Sequence, residues 1–516
     1  MTKSPVHLRL RRTAPAALVL WFMAAVLVQA ASLPAARPET VGLSSERLER
    51  LSRALQTTVD NGRAVGVVAL VSRQGKIAYL KSFGKLDLET GAAMPVNGIF
   101  RIASQSKAVT TTAVFTILKT VLDPDLPVNQ GAFRPVRVTA PEGTILNARF
   151  PAACGGFAEI RRRTQSVVMG ALSRALPDAI AGDVKGSANH CYVGGLDPET
   201  NSHFIFYEYP AGGTGGYLEA DGSSAFRSFD EGDFSSIQPV ESIENELPLV
   251  IERTALRTDS GGPGRTRGGL GIERDVRVAT ARASYSVLSD RCIIPPFGLH
   301  GGGAGAPNSF TYRHAGVELQ PGKIPGKATG CPVVRGDVVL MRSAGGGGYG
   351  DPLARDPERV HEDVRLGFVT ARGAADAYGV VFAPDGEVDA AATAALRASL
   401  VLQRCNLTVA AHDAASGEYS HGRRYVQVHP STAKRFGLAE GTPIEIVVPV
   451  GAPLRAWVRL NDALASDAVW IGAEGAAMIG TAPGNAVRLR ALALGFAVAP
   501  KSAAPKPTPA SEAVSA

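Results

Sequence analysis

Ser104 and Lys107 stand three residues apart at the head of an apolar run from Ala108 to Leu118. A serine at a helix N-terminus feels the positive end of the helix dipole. A lysine one turn later lies on the same face, able to take the hydroxyl proton. That pairing is the chemistry of nucleophilic acyl transfer, with Ser104 as nucleophile and Lys107 as base. A second set of charges rides on glycine: in Asp259-Ser-Gly-Gly-Pro-Gly-Arg-Thr-Arg-Gly-Gly-Leu-Gly271, six of the residues are glycine. Such density means backbone at positive φ, or backbone brought close to another surface. Asp259, Arg265 and Arg267 on such a stretch suit an anion or a carboxylate partner, or else a solvated loop whose arginines pair with nearby acids. Glu241 and Glu244, between Pro239 and Pro248, read either as paired acids or as a solvated acidic turn. The five cysteines (154, 191, 292, 331 and 405) include no C-x-x-C pair, so no zinc-ligand spacing is present and no metal-ligand residue is assigned.

The elements that must position these residues can be read in order. Residues 1–30 have the form of a secretory leader, with basic Arg9 to Arg12, an apolar run from Ala14 to Val28 and small residues after it. An uncleaved anchor is the alternative and the sole route to a membrane; a working leader places the protein outside the cytoplasm, in a bacterial periplasm, and without a working leader the expected place is the cytoplasm. Leu43, Leu48, Leu51 and Leu55 recur at helical spacing behind Ser44. Two strand-like runs, Val65–Ser72 and Lys76–Phe83, are joined by Arg73-Gln-Gly, a hairpin signal. The order of helix, hairpin and Ile99-Phe-Arg-Ile-Ala-Ser-Gln-Ser-Lys107 resembles the opening of the serine β-lactamase/penicillin-binding-protein family, in its class C and esterase branch. The resemblance implies serine-hydrolase activity from Ser104 and Lys107. It stops near Lys119, and no Y-x-N, K-T-G or H-T-G element follows.

From Thr120 to about Arg404 the chain resembles the C-terminal half of the hydantoinase B/5-oxoprolinase family. The resemblance is carried by Gly212-Gly-Thr-Gly-Gly-Tyr-Leu-Glu-Ala-Asp-Gly222, the Pro239–Pro248 segment, the glycine stretch from Asp259, Ser289-Asp-Arg291, Gly345-Gly-Gly-Gly-Tyr-Gly-Asp-Pro352 and Val360–Val381. It implies ATP-dependent opening of a cyclic amide such as 5-oxoproline or a hydantoin. It also implies ATP and a divalent metal as cofactors, and a hydantoinase A-like ATP-binding subunit as partner. The charged residues of these motifs, Asp221, Glu241, Glu244, Asp259, Arg265, Arg267, Asp290 and Arg291, are the candidate substrate-binding residues. The family's His/Asp metal motifs lie in its other half, to which nothing in this chain corresponds. Gly345-x-Gly-x-x-Gly350 matches a dinucleotide fingerprint in form, but Asp351-Pro352 follows where a helix should start, which argues against a pyrophosphate site.

Glu387 to Leu402 reads as an alanine-rich helix closing this unit. Beyond Asn406, the strands around Arg424, Pro443, Leu454 and Ala468 resemble a molybdopterin-dinucleotide-binding domain, a double-psi β-barrel. The tail from Ala499 is Pro, Ala, Ser and Lys, a composition that does not fold alone. The sequence therefore reads as α+β and multidomain. It comprises a leader (1–30), a partial β-lactamase-like α/β segment (31–119), a loop-rich β central domain (120–405), a small β-barrel (406–498) and a tail (499–516). The net charge of +7 falls to about +3 without the leader's Lys3, Arg9, Arg11 and Arg12, and Arg161 to Arg163 has no interleaved aromatics. Nucleic acid is excluded as a partner on that ground. A small molecule is the expected substrate. A cyclic-amide hydrolase, a serine hydrolase and a non-catalytic fusion of fragments remain three distinct readings.

Overall fold

The computed structural model describes residues 34–62, 64–86, 91–96, 125, 139–144, 146–147, 149, 157–226, 237–411 and 417–495. The chain divides into two compact units, Met1–Ile102 and Ala103–Ala516. In the first, helix α1 (Ser45–Asp60) is capped by the Ser44 side chain, which accepts the Arg47 amide. Strands β1 (Gly66–Arg73) and β2 (Lys76–Gly84) pair antiparallel around Gln74 and Gly75, both at positive φ as a tight hairpin turn requires. Ser52 of α1 meets the Tyr79 hydroxyl of β2 at 2.9 Å in the unit's interior. Ser104, Lys107 and the 108–118 run lie outside the described residues, as do the leader and the tail. Among the described residues no helix is long and apolar enough to cross a membrane.

The second unit opens with helix α2 (Phe157–Leu172) and strands β3 (His190–Leu196) and β4 (His203–Glu208). Helix α3 (Val240–Glu246) follows, then β5 (Leu249–Leu256), β6 (Ile272–Val278), β7 (Arg282–Leu288), β8 (Ser309–His314), β9 (Val317–Leu319), β10 (Lys327–Val334) and β11 (Val338–Arg342). These strands form two antiparallel sheets, ordered β10-β7-β3-β4 and β5-β6-β11-β8-β9. Period-two alternation explains their packing. Cys191, Val193, Phe204, Phe206, Tyr285 and Val287 of one sheet share a core with Val276, Val278, Phe310, Val339 and Met341 of the other. Helices α4 (Pro357–Arg365), α5 (Ala371–Tyr378) and α6 (Ala390–Leu402) follow, and Val360, Val369, Ala374, Tyr378 and Val380 make a small core there.

Strands β12 (Cys405–Val409), β13 (Tyr419–Ser420), β14 (Arg423–Val428), β15 (Pro443–Val447), β16 (Leu454–Leu460), β17 (Ala468–Ile471) and β18 (Ala486–Ala491) build the C-terminal domain, with short helices α7 (Pro430–Arg435) and α8 (Ala473–Ile479). The order β14-β16-β15-β18-β12-β17 returns to β14, closing a six-stranded β-barrel with β13 appended. Its interior is aliphatic: Val426, Val428, Ile444, Ile446, Val458, Val469 and Ile471 are fully buried. Glu445, with 1% of its surface exposed, takes Arg455 and Arg490. Burial pushes its carboxyl up, but the two guanidiniums override that and hold it below the ordinary range. Arg490 also donates to the Gly302 carbonyl at 3.0 Å, tying the barrel to the glycine-rich segments.

Those segments (182–186, 212–216, 261–271, 298–303 and 345–349) pair with one another through backbone alone. Gly346 donates to Gly269 at 2.9 Å and accepts from Gly262 at 2.8 Å; Gly216 donates to Gly347, and Gly347 to Asp183. Gly269 donates to Thr214, and Gly348 to Gly303. Gly213, Gly268, Gly269 and Gly346 are not at positive φ; what demands glycine there is contact. A Cβ on Gly346 would sit 1.8 Å from the Thr214 carbonyl oxygen, and one on Gly213 1.9 Å from that of Gly269. The stretch from Asp259 is therefore a packed lattice and not a solvated loop; Arg267 is 4% exposed.

This geometry separates two kinds of glycine. Gly346→Ala should cost about 4 kcal/mol or more, because the methyl meets backbone and two lattice hydrogen bonds must break. Gly484→Ala, at φ 88° with open space around it, should cost about 1–2 kcal/mol. Denaturant unfolding of both variants measures the gap; equal losses would refute contact as the reason for glycine in the lattice.

Candidate functional site

The predicted charged residues fall into three separate groups. Asp221, Arg265, Arg267 and Asp259 belong to the first, where the glycine lattice meets α4 and α5. Arg355, 1% exposed, donates to Asp221 at 2.7 and 2.8 Å and to Asp363 at 2.8 Å. Arg267 reaches Asp363 at 3.3 Å, and its backbone amide donates to Asp221 at 2.6 Å. The Arg355 and Arg267 guanidiniums hold the Asp221 carboxyl below its ordinary range against the opposing effect of burial, which is the largest single influence. Arg265 donates to the Leu218 carbonyl at 2.7 Å. Thr370 caps α5 by accepting the Gly373 amide, and Asp259 holds that cap by accepting both the amide and the hydroxyl of Thr370. A cleft of about 270 Å³ beside it is lined by Asp259, Gly261, Pro263 and Thr370, but not by Arg265 or Arg267. Glu241 and Glu244 form the second group, exposed on α3, where Glu244 accepts the Ile251 amide at 2.8 Å.

Asp290 and Arg291 enter the third group, which gathers side chains that composition and motif alone do not single out. In Asp183-Val-Lys-Gly-Ser-Ala-Asn-His190 the polar residues alternate, and the segment is buried nearly throughout as it leads into β3. Glu159, in the first turn of α2, accepts the Ser187 hydroxyl at 2.7 Å and the amides of Ala188 and Asn189 at 3.0 and 3.1 Å. Ser187 meets Ser289 at 3.1 Å, and Ser289 donates to the side-chain Oδ1 of Asn189 at 2.9 Å. Asn189 and Arg291 both hold positive φ, turning the chain at each side of this knot. Across the sheet end, His190, Leu288 and Lys327 are in register, and Lys327 pairs with Asp290 at 2.8 Å.

His190 Nδ1 lies 2.6 Å from the Tyr207 hydroxyl, and its Nε2 lies 3.9 Å from Glu159. Tyr207 in turn donates to Tyr209 and stacks on Tyr192 at 4.2 Å between centroids. Burial lowers the His190 pKa, helped by the positive charges of Arg162, Lys327 and Lys185, so the imidazole is neutral at neutral pH. Burial raises Glu159, opposed by the Ser187 hydrogen bond and helped by Asp290. Burial, with the Tyr192 and Tyr209 phenols beside it, raises Tyr207. The Cys292 thiol is pushed up to about 12, chiefly by burial, which keeps it protonated and unsuited to nucleophilic work.

Beneath this relay Arg291 pairs with Asp183, both buried. Burial lowers the Arg291 pKa while Asp183 opposes the shift. Around Gly186, at φ 62°, several buried polar atoms have no hydrogen-bond partner: Arg163 Nη1, Ser166 Oγ, Asp183 Oδ1 and Arg291 Nε. A neutral imidazole hydrogen-bonded to a chain of phenols can move a proton, with the Glu159 carboxyl 3.9 Å away as a nearby charge and not a hydrogen-bonded link, and the orphaned donors at Gly186 can take an oxygen ligand. Among the described residues no group of three or more His, Cys, Asp or Glu side chains is placed to hold a metal ion. The donors available here do not fit the divalent metal the resemblance implies.

The profile of the Hydantoinase B/oxoprolinase family matches residues 90–352, half of the chain, and spans every segment of the glycine lattice and this third group. The chain belongs to the hydantoinase B/oxoprolinase family. An uncharacterized protein of Methanocaldococcus jannaschii is 34% identical over 272 residues, which cover 52% of this chain and 45% of that one. The putative B component of a D-/L-hydantoinase from Pseudomonas sp. (strain NS671) is 31% identical over 278 residues, 53% of this chain and 45% of its own length. The beta component of caprolactamase from Pseudomonas jessenii is 32% identical over 292 residues, 53% of this chain and 48% of its own. The chain thus spans just under half the length of each of these three relatives.

A depressed folded pKa at His190 has a definite sign. Its contribution to stability is present above the ordinary histidine value of 6.5 and is lost as pH falls through the folded value. Glu159, raised above 4.5, has the opposite sign, and its contribution is lost as pH rises through its folded value. His190→Gln, which cannot charge, should therefore flatten the loss of stability below pH 6.5 relative to the parent. Melting temperatures recorded against pH for both proteins test this, and parallel acid limbs would overturn it.

Proposed function

We propose that this chain acts as the B-type component of an ATP-dependent enzyme that opens a cyclic amide, with a partner of the hydantoinase A type handling ATP. Support comes from family membership and from relatives named as components of a hydantoinase and of a caprolactamase. The observation that carries the reading to particular residues is the half-buried pair of His190 and Tyr207, with the buried Glu159 carboxyl 3.9 Å from the imidazole and orphaned donors at Gly186. Opening a lactam adds water across the C–N bond: oxygen bonds to the carbonyl carbon, that carbon releases the ring nitrogen, and the nitrogen gains a proton. ATP, handled by the partner, supplies the driving force. The Tyr207 hydroxyl is the proton donor nearest the surface of this group; since it donates to Tyr209, His190 Nδ1–H faces its oxygen at 2.6 Å and can replace the proton that Tyr207 gives up. Arg163 Nη1 and Arg291 Nε are the donors suited to the amide oxygen. Of the charged residues predicted to contact substrate, Asp290 and Arg291 adjoin this relay, and Asp290 orients Lys327.

The test is co-expression with a hydantoinase A-type partner and measurement of ADP and ring-opened product on 5-oxoproline, hydantoin and caprolactam. ADP formation should depend on one of these lactams, and Tyr207→Phe should lower kcat roughly 100-fold with the fold intact. A co-purified complex whose ATP turnover ignores all three lactams would sink the proposal.

A further inference from the structure

A second cleft, of about 290 Å³, opens where α5 and α6 meet the β-barrel. Its floor is apolar, made by Leu400, Phe436, Leu438 and Leu489, while Arg404, Arg488 and Arg490 stand in its wall. The nearby acids are already engaged. Asp351 is gripped by Arg404 at 2.7 Å through each oxygen. Glu445 is shared by Arg455 and Arg490. Asp376, which also lines the cleft, pairs with Arg372 at 3.2 Å on the exposed side.

Arg488 is left with the Gly301 carbonyl at 3.2 Å and with Asp351 at 3.9 Å, the same carboxylate that Arg404 holds. Its side chain is only 17% exposed, so water does little to disperse its charge. Burial lowers its pKa first, and the crowding of Arg404 and Arg490 lowers it further, which is what an excess of positive charge does. The volume lies at the lower edge of the roughly 300–1,000 Å³ usual for small-molecule sites, and an apolar floor with few polar groups is their usual lining.

We infer that this cleft is a binding site for a small amphipathic organic anion, a carboxylate with a short apolar body, whose charge is met by Arg488 and whose chain lies on Leu400, Phe436, Leu438 and Leu489. The proposal stands apart from the cyclic-amide reading, since none of its residues belongs to the Glu159–His190–Tyr207 group. A carboxylate here adds to the charge balance that Asp351 and Glu445, each already shared with another arginine, leave incomplete, and the floor selects for an alkyl or aromatic body over a bare inorganic ion.

Calorimetric titration of the full chain with hexanoate, at low ionic strength, tests it. Hexanoate should bind saturably, and 1-hexanol, with the same body and no charge, should not at the same concentration. Arg488→Met should weaken hexanoate binding roughly tenfold or more, and Arg488→Lys should recover most of the loss. Gln403 lines the cleft from an exposed position, so Gln403→Glu probes the same site without touching the buried pairs, and it should also weaken binding. Absence of saturable binding, equal binding of hexanoate and 1-hexanol, or hexanoate binding unchanged in Gln403→Glu and Arg488→Met would each overturn the inference.

Discussion

Peptide groups that touch one another with nothing between them hold the second unit together. Where Gly346 lies between Gly269 and Gly262, the backbone donates to one side and accepts from the other, as a central strand does, but without the spacing that side chains impose. Pairing N–H with C=O in this way is the condition for placing so much backbone in an interior. Segments that enter the lattice come from before β3, after β4, after β5, after β7 and after β11, so it joins both sheets. Glycine loses more conformational freedom on ordering than any other residue, and the hydrogen bonds and close packing must offset that loss. The lattice is costly to form and intolerant once formed.

Function attaches to the edges of this lattice. The Asp183–His190 segment leaves it to become β3 and carries alternate polar side chains inward, where Glu159 of α2 and the Ser289–Arg291 turn meet them. On another side the lattice supports Asp221, Arg267 and Arg355, whose charges are matched by one another and by Asp363. A buried ionic group of this kind positions helices rather than chemistry, and losing one partner leaves the other charge stranded. The Arg455–Glu445–Arg490 group does the same between lattice and barrel.

How much of this was legible in the sequence varies with the physics involved. Helix α1, its Ser44 cap and the β1–β2 hairpin follow from local periodicity and turn chemistry, and the structure has them where the pattern puts them. The strands of the barrel are equally local in signal. Glycine density near Arg265 flagged unusual backbone, but a sequence does not distinguish positive φ from close contact, and the second is what occurs. Arg267 and Asp221 look like ligand-binding charges until their partners Asp363 and Arg355, 96 and 134 positions away, are seen. His190 and Tyr207 have no motif to announce them. The faint signal was Asp183, Lys185, Ser187 and Asn189 at every second position, a polar alternation leading into an otherwise apolar strand. The β-lactamase likeness rests on Ser104 and Lys107, which fall outside the described residues.

A lattice with no room for Cβ atoms is also a part of the protein that cannot vary in chemistry. No substitution at Gly213, Gly269 or Gly346 adds a functional group without forcing backbone apart. Any diversification of substrate among chains built this way must therefore be written in the borders: the α2 face around Arg163 and Ser166, the turn at Asp290, and the strand that presents Tyr207. The glycine segments would record descent while saying nothing about what is bound, and the residues worth comparing between two such proteins are those one step outside them.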